Sequence, residues 1–126
     1  MRNDRGFTLI ELLVVVLIIG ILAAMAVPTL MGQRNLASDA AAKSDLGNAK
    51  QAMISYATVN GRYTNVVANL NTFGYSQTTG NTSTSIRLGT PTSKYCIQTR
   101  SPTGTTWKIR YNSGVLSGSC GASDVL

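Results

Sequence analysis

The feature that most constrains this 126-residue chain is an apolar run over residues 7–31 that holds a single formal charge, Glu11. About twenty helical residues cross the hydrocarbon core of a bilayer, so the run has spanning length. Gly20 and Pro28 interrupt it. Glycine weakens a helix, and proline removes a backbone donor and crowds the preceding turn, so a bend near Pro28 is expected in a helix that continues. A carboxylate inside such a segment costs about 3 kcal/mol and is a functional candidate by default. Its early position also permits a plainer account, in which the side chain snorkels toward headgroups.

Beyond the run the sequence turns polar but stays helix-forming, with alanine at 37, 40, 41, 42, 49, 52 and 57. Leu36, Ala40, Leu46, Ala49, Met53 and Tyr56 mark a narrow apolar stripe at near-helical steps. Asn60-Gly61 supplies a stop. One helix is therefore expected over residues 8–59, apolar all round in its first half and on one side in its second. Residues 61–85 read as loop, with a polar stretch at 76–85 and an N-glycosylation pattern at Asn81-Thr82-Ser83.

The period then changes to two. Residues 85–88, 94–100, 105–111 and 114–116 read as short strands, separated by Ser101-Pro102-Thr103-Gly104 and Asn112-Ser113-Gly114 turns. Trp107, Ile109 and Tyr111 share one strand face, with Lys108 and Arg110 on the other. The expected fold class is α+β: a small antiparallel sheet whose apolar face meets the amphipathic helix at Leu46, Met53 and Tyr56. Tyr63, Phe73 and Tyr75 are expected to anchor the loop region in preference to serving as exposed adhesive aromatics.

Eleven lysines and arginines face five acidic residues, but they are scattered along the chain. Such charge attracts polyanions without specifying a dedicated DNA interface. Catalysis is not expected. The chain has no histidine, Glu11 is its one glutamate, and Asp39, Asp45 and Asp124 show no evident pairing. No glycine-rich phosphate cradle is present, and no cofactor is implied. Cys96 and Cys120 lack the further soft ligands a zinc site needs, which leaves a disulfide or two buried thiols. Closing that loop would contribute ~3 kcal/mol in the chain-entropy model. A domain this small has a modest core, so support from a disulfide or from oligomerisation suits it.

Two generic accounts of the first thirty residues compete. Arg2 and Arg5, an apolar core at 12–22 and Ala24-Met25-Ala26 would make a secretory signal, releasing a soluble domain at Val27. An uncleaved anchor is the second. Its orientation stays open, because Arg2 and Arg5 on one side are matched by Arg34 and Lys43 on the other. Neither account has a use for Glu11.

The stretch Arg5-Gly6-Phe7-Thr8-Leu9-Ile10-Glu11-Leu12-Leu13-Val14-Val15 resembles the N-terminal signature of type IV pilins and the related pseudopilins. The resemblance is close from Gly6 to Pro28 and looser through the helix, loop and sheet that follow. It implies a leader at 1–6, a membrane and filament-core helix at 7–31, its amphipathic continuation at 32–60 and a globular head at 61–126. A prepilin peptidase would cut after Gly6 and methylate the new amino terminus at Phe7. Glu11 would pair with the Phe7 amine of a neighbouring copy, and Gly20 and Pro28 would be the helix-disrupting positions.

The leader would be cytoplasmic and the rest outside, an orientation that favours a Cys96–Cys120 disulfide. The implied partners are further copies in a helical filament, the pilus assembly machinery and, before assembly, the cytoplasmic membrane. A type IV pilus subunit is the first expectation, serving adhesion, motility or DNA uptake. The main pseudopilin of a type II secretion system or competence pseudopilus is the second, and a secreted monomeric binding domain a distant third. The cysteine pair favours a pilin. So does the C-terminal segment, where Asp124 stands alone in place of the acidic cluster of a pseudopilin calcium site.

Overall fold

The structure, a computed structural model, describes residues 6–90 and 92–126. Arg2 and Arg5 of the expected leader lie outside the described residues. The elements are α1 (Leu9–Asn60), α2 (Val67–Asn71), β1 (Thr82–Leu88), β2 (Tyr95–Arg100), β3 (Thr106–Arg110), β4 (Val115–Ser117) and a final 3-10 turn, Ala122–Val125. The chain forms two compact units, one ending at Arg34 and the other Asn35–Leu126.

Among the described residues, the first unit is helix and contributes nothing to a buried cluster. Every large apolar residue in 7–31 is at least 48% exposed within the single chain. Gly20 and Pro28 both lie inside α1. Next to Pro28, the Thr29 hydroxyl donates to the Ala26 carbonyl at 2.8 Å.

The second unit is a four-stranded antiparallel meander, ordered β1-β2-β3-β4, with the later half of α1 on its apolar face. Alternation along β2 decides the two faces. Tyr95, Ile97 and Thr99 turn into the core, where Ile97 stands opposite both Ile86 and Ile109. Leu46, Ala49, Met53, Leu70 and Tyr75 complete the core, and Trp107, Tyr111 and Tyr56 pack partly buried against it. The small residues Ala42, Ala49 and Ala52 are buried along the same part of the helix.

The helix seam differs from the expected stripe at one end. Leu36 is 72% exposed and Ala40 is also exposed, while Ala42 and Asp45 are buried. At ~100° per residue, position 40 lies nearly opposite the arc that holds 42, 46, 49 and 53. The seam runs instead through Asp39, whose carboxylate meets the β2–β3 turn. Gly61, at φ +69°, ends α1 as expected, its N–H donating to the Ala57 carbonyl at 2.8 Å.

The region expected to be loop contains α2 and the first four residues of β1. Thr64, buried, receives the Val66 N–H at 3.1 Å and the Asn69 amide at 2.9 Å, which sets up α2 and drives Leu70 into the core. The loop aromatics act as anchors. Tyr63 meets Tyr95 edge-on at 4.6 Å, Phe73 meets Tyr56 at 5.6 Å, and Tyr75 is 4% exposed.

Candidate functional site

At the start of α1, Thr8 and Glu11 form a reciprocal cap. Glu11 Oε2 accepts from the Thr8 N–H and from the Thr8 hydroxyl, both at 3.1 Å, while the Glu11 N–H donates to Thr8 Oγ1 at 3.3 Å. These bonds satisfy donors that a helix start leaves orphaned, and a carboxylate there is favoured by the helix dipole. Glu11 thus has a local task that the generic sequence accounts did not assign. The signal was present: Thr8-Leu9-Ile10-Glu11 is the T-x-x-E capping pattern. The described hydrogen bonds of the Glu11 side chain all go to Thr8, and Phe7 is 89% exposed.

The three aspartates of the second unit are all engaged. Asp45, 3% exposed on α1, accepts from the Thr78 N–H at 2.9 Å, the Thr78 hydroxyl at 2.7 Å and Asn81 Nδ2 at 2.6 Å. It pins a stretch whose sequence shows only polar residues. The amide of Asn81, the atom a glycan would need, is committed to this network. Asp39 accepts from Ser101 Oγ and from Thr103 Oγ1, and these hydroxyls hold its carboxyl below the ordinary range. Lys43, one turn on, lies 4.0 Å over the Trp107 ring.

Asp124 fastens the C-terminal turn to the outer sheet face. Lys108 Nζ donates to both its oxygens at 3.0 and 2.9 Å, the Gly121 N–H donates at 2.7 Å, and Arg110 Nη1 lies 3.5 Å away. The Lys108 hydrogen bonds, then that of Gly121, hold its carboxyl below the ordinary range. Cys96 and Cys120 form a disulfide with a Cα–Cα separation of 5.9 Å, and both pack with Val125 in a second small core. The Gln98 side-chain carbonyl accepts the Cys120 N–H at 2.6 Å. A Cβ at Gly89 would land on the Val125 carbonyl oxygen, so the turn needs glycine there.

Burial pushes the Tyr95 hydroxyl up to about 12 and raises that of Tyr75. Among the described residues no three His, Cys, Asp or Glu side chains converge as a metal site would require.

Residues 1–27 match the family described as the prokaryotic N-terminal methylation motif. The chain is 38% identical over 107 residues to the type IV wide pilus major component PilA4 of Thermus thermophilus, covering 85% of this chain and 81% of that protein. It is also 43% identical over 63 residues to the type II secretion system core protein G of Klebsiella pneumoniae. The match to the core protein G of Escherichia coli is 44% over 61 residues. These two matches cover 50% and 48% of this chain and 45% and 42% of the relatives, so the chain spans less than half the length of either secretion protein. The methylation motif, the exposed apolar helix and the match to a pilus component that runs through the head together place the chain in the type IV pilin family.

Proposed function

We propose that this chain is a structural subunit that polymerises into a type IV pilus, with no catalysis of its own. The observation that carries the proposal is the apolar helix over residues 7–31, whose large side chains are all at least 48% exposed among the described residues. Such a surface needs either a membrane or copies of itself, and a filament subunit uses each in turn. Peptidase cleavage between Gly6 and Phe7, followed by N-methylation of Phe7, would create a cationic amine at the helix tip. Glu11 would then exchange its bonds to Thr8 for the Phe7 amine of a neighbouring subunit. Either charge alone would be costly among apolar helices, so the pair sets register. Gly20 and Pro28 would let the helix yield locally as it leaves the bilayer.

A type II secretion pseudopilus subunit is the second reading, supported by the matches to core protein G. The pilus is favoured because the match to the wide-pilus component extends over 85% of this chain. The Lys108–Asp124 pair also leaves the C-terminal segment without a free carboxylate cluster. Intact mass of the mature protein tests the processing: the expected product starts at methylated Phe7. A product starting at Val27 would overturn filament assembly in favour of a secreted domain. Electron microscopy of sheared surface filaments, labelled for this chain, separates a pilus from a short pseudopilus.

A further inference from the structure

Glu11 and Arg34 frame the apolar part of α1, and residues 12–33 between them carry no formal charge. At ~1.5 Å per residue the two charges stand about 35 Å apart along the helix. The hydrocarbon core of a bilayer is about 30 Å thick, so one depth of insertion lets both charges reach headgroups, on opposite leaflets. No tyrosine or tryptophan lies in residues 7–35 to serve as an aromatic anchor, which leaves Arg34 as the charged anchor at its end.

Arg34 is exposed and, among the described residues, forms no ion pair. Gln33 and Asn35 beside it are exposed as well. At ~100° per residue these three donors spread over about 200° of the helix surface. A single protein neighbour meets a narrower arc, whereas a layer of headgroups surrounds the helix. The side-chain carboxylates among the described residues offer Arg34 no alternative. Asp39, Asp45 and Asp124 are engaged within the second unit. Glu11 of another copy is the proposed partner of the Phe7 amine.

We infer that Arg34, flanked by Gln33 and Asn35, binds the phosphate groups of membrane glycerophospholipids and sets the depth at which the unassembled subunit is held. The inference rests on the membrane-held stage of the proposed function. A planar guanidinium fork matches two phosphate oxygens, and the neighbouring amides add neutral donors. The long arginine stem lies along apolar surface while its charge reaches the interface. The depth is fixed from both ends. Sliding the helix toward the Arg34 side draws Glu11 into hydrocarbon, and sliding it the other way draws in Arg34.

The test places the full chain in vesicles of phosphatidylethanolamine and phosphatidylglycerol, with a bilayer-impermeant maleimide on both faces. Gly32→Cys, where an added side chain meets open space, reports the Arg34 end, and Leu22→Cys reports the middle of the span. The native cysteines are tied in their disulfide and do not react. The Gly32 reporter should label and the Leu22 reporter should stay silent. Adding Arg34→Leu should slow labelling at the Gly32 reporter about tenfold as that end sinks. Arg34→Lys should keep it within about twofold, because a lysine also snorkels. Equal labelling with Arg34→Leu would overturn the depth-setting role. Release of the unchanged chain by sodium carbonate would instead overturn the membrane reading beneath it. The partner is read by solid-state NMR between labelled arginine Cζ and lipid phosphorus. A contact that disappears in Arg34→Lys is expected, and an unchanged signal would overturn the phosphate assignment. The same contact in galactolipid vesicles supplied with inorganic phosphate would assign the site to free phosphate and overturn the lipid partner.

Discussion

Leu22 and Leu46 are the same residue on the same helix, yet one is 63% exposed and the other fully buried. Ile19 and Ile97 repeat the contrast between the two units, at 59% and 0% exposure. The difference lies in what surrounds each apolar side chain on its own element. Up to Met31 the helix is apolar on every side, and its large side chains stay exposed. From Ala42 onward the apolar positions fall on one arc, which a single sheet face can cover. The second unit therefore has a core of its own, whereas the large apolar side chains of the first are left exposed.

The contrast breaks most sharply at Glu11. Replacing it with alanine should leave membrane insertion and the head's melting temperature unchanged while surface filaments are lost or disordered under the microscope. Normal filaments from that variant would remove the intersubunit role and leave only the cap with Thr8. In the head, Leu46→Ala should cost about 2–5 kcal/mol in denaturant unfolding, as expected for emptying a closed core. The matching Ile19→Ala change should leave head unfolding where it was. If both substitutions shift the head equally, the two units are not independent.

Reduction of Cys96–Cys120 should destabilise the head by ~3 kcal/mol, measured by melting with and without a reductant. Acid should have the smallest and most gradual effect. Asp39, through Ser101 and Thr103, and Asp124, through Lys108, are held below the ordinary carboxyl range. The folded chain thus gives up these protons at lower pH than the unfolded chain. Their contribution is complete above the unfolded value near ~4 and is lost as pH falls through the folded values. Melting temperature should hold steady above about pH 5 and decline below about pH 4. Changing both aspartates to asparagine should flatten that decline, and an unaltered acid profile would assign the loss to other groups.

Much of this was legible in the residues. The helix end at Gly61, the four strands and the inward set of Ile109 with its flanking aromatics follow from period and turn chemistry. The reciprocal cap is also written locally, as the T-x-x-E of Thr8 and Glu11. What escaped sequence reasoning has a common cause. Asp45 with Thr78 and Asn81, Asp39 with Ser101 and Thr103, and Asp124 with Lys108 join residues that are 33, 36, 62, 64 and 16 positions apart. No local period encodes such pairings. The short helix at Val67–Asn71 was missed because five residues are too few to show periodicity, and its start depends on a buried threonine.

The sequence by itself determined that a bilayer-length apolar helix with one early carboxylate leads into an amphipathic half and a small antiparallel sheet. Those features are periodic or compositional, and each residue carries its share regardless of its distant neighbours. Only the tertiary structure decided which arc of the helix meets the sheet, and which hydroxyl, amide or ammonium satisfies each aspartate. Burial makes an unpartnered carboxylate costly, so the partner is chosen by proximity in the folded chain and not by position along it.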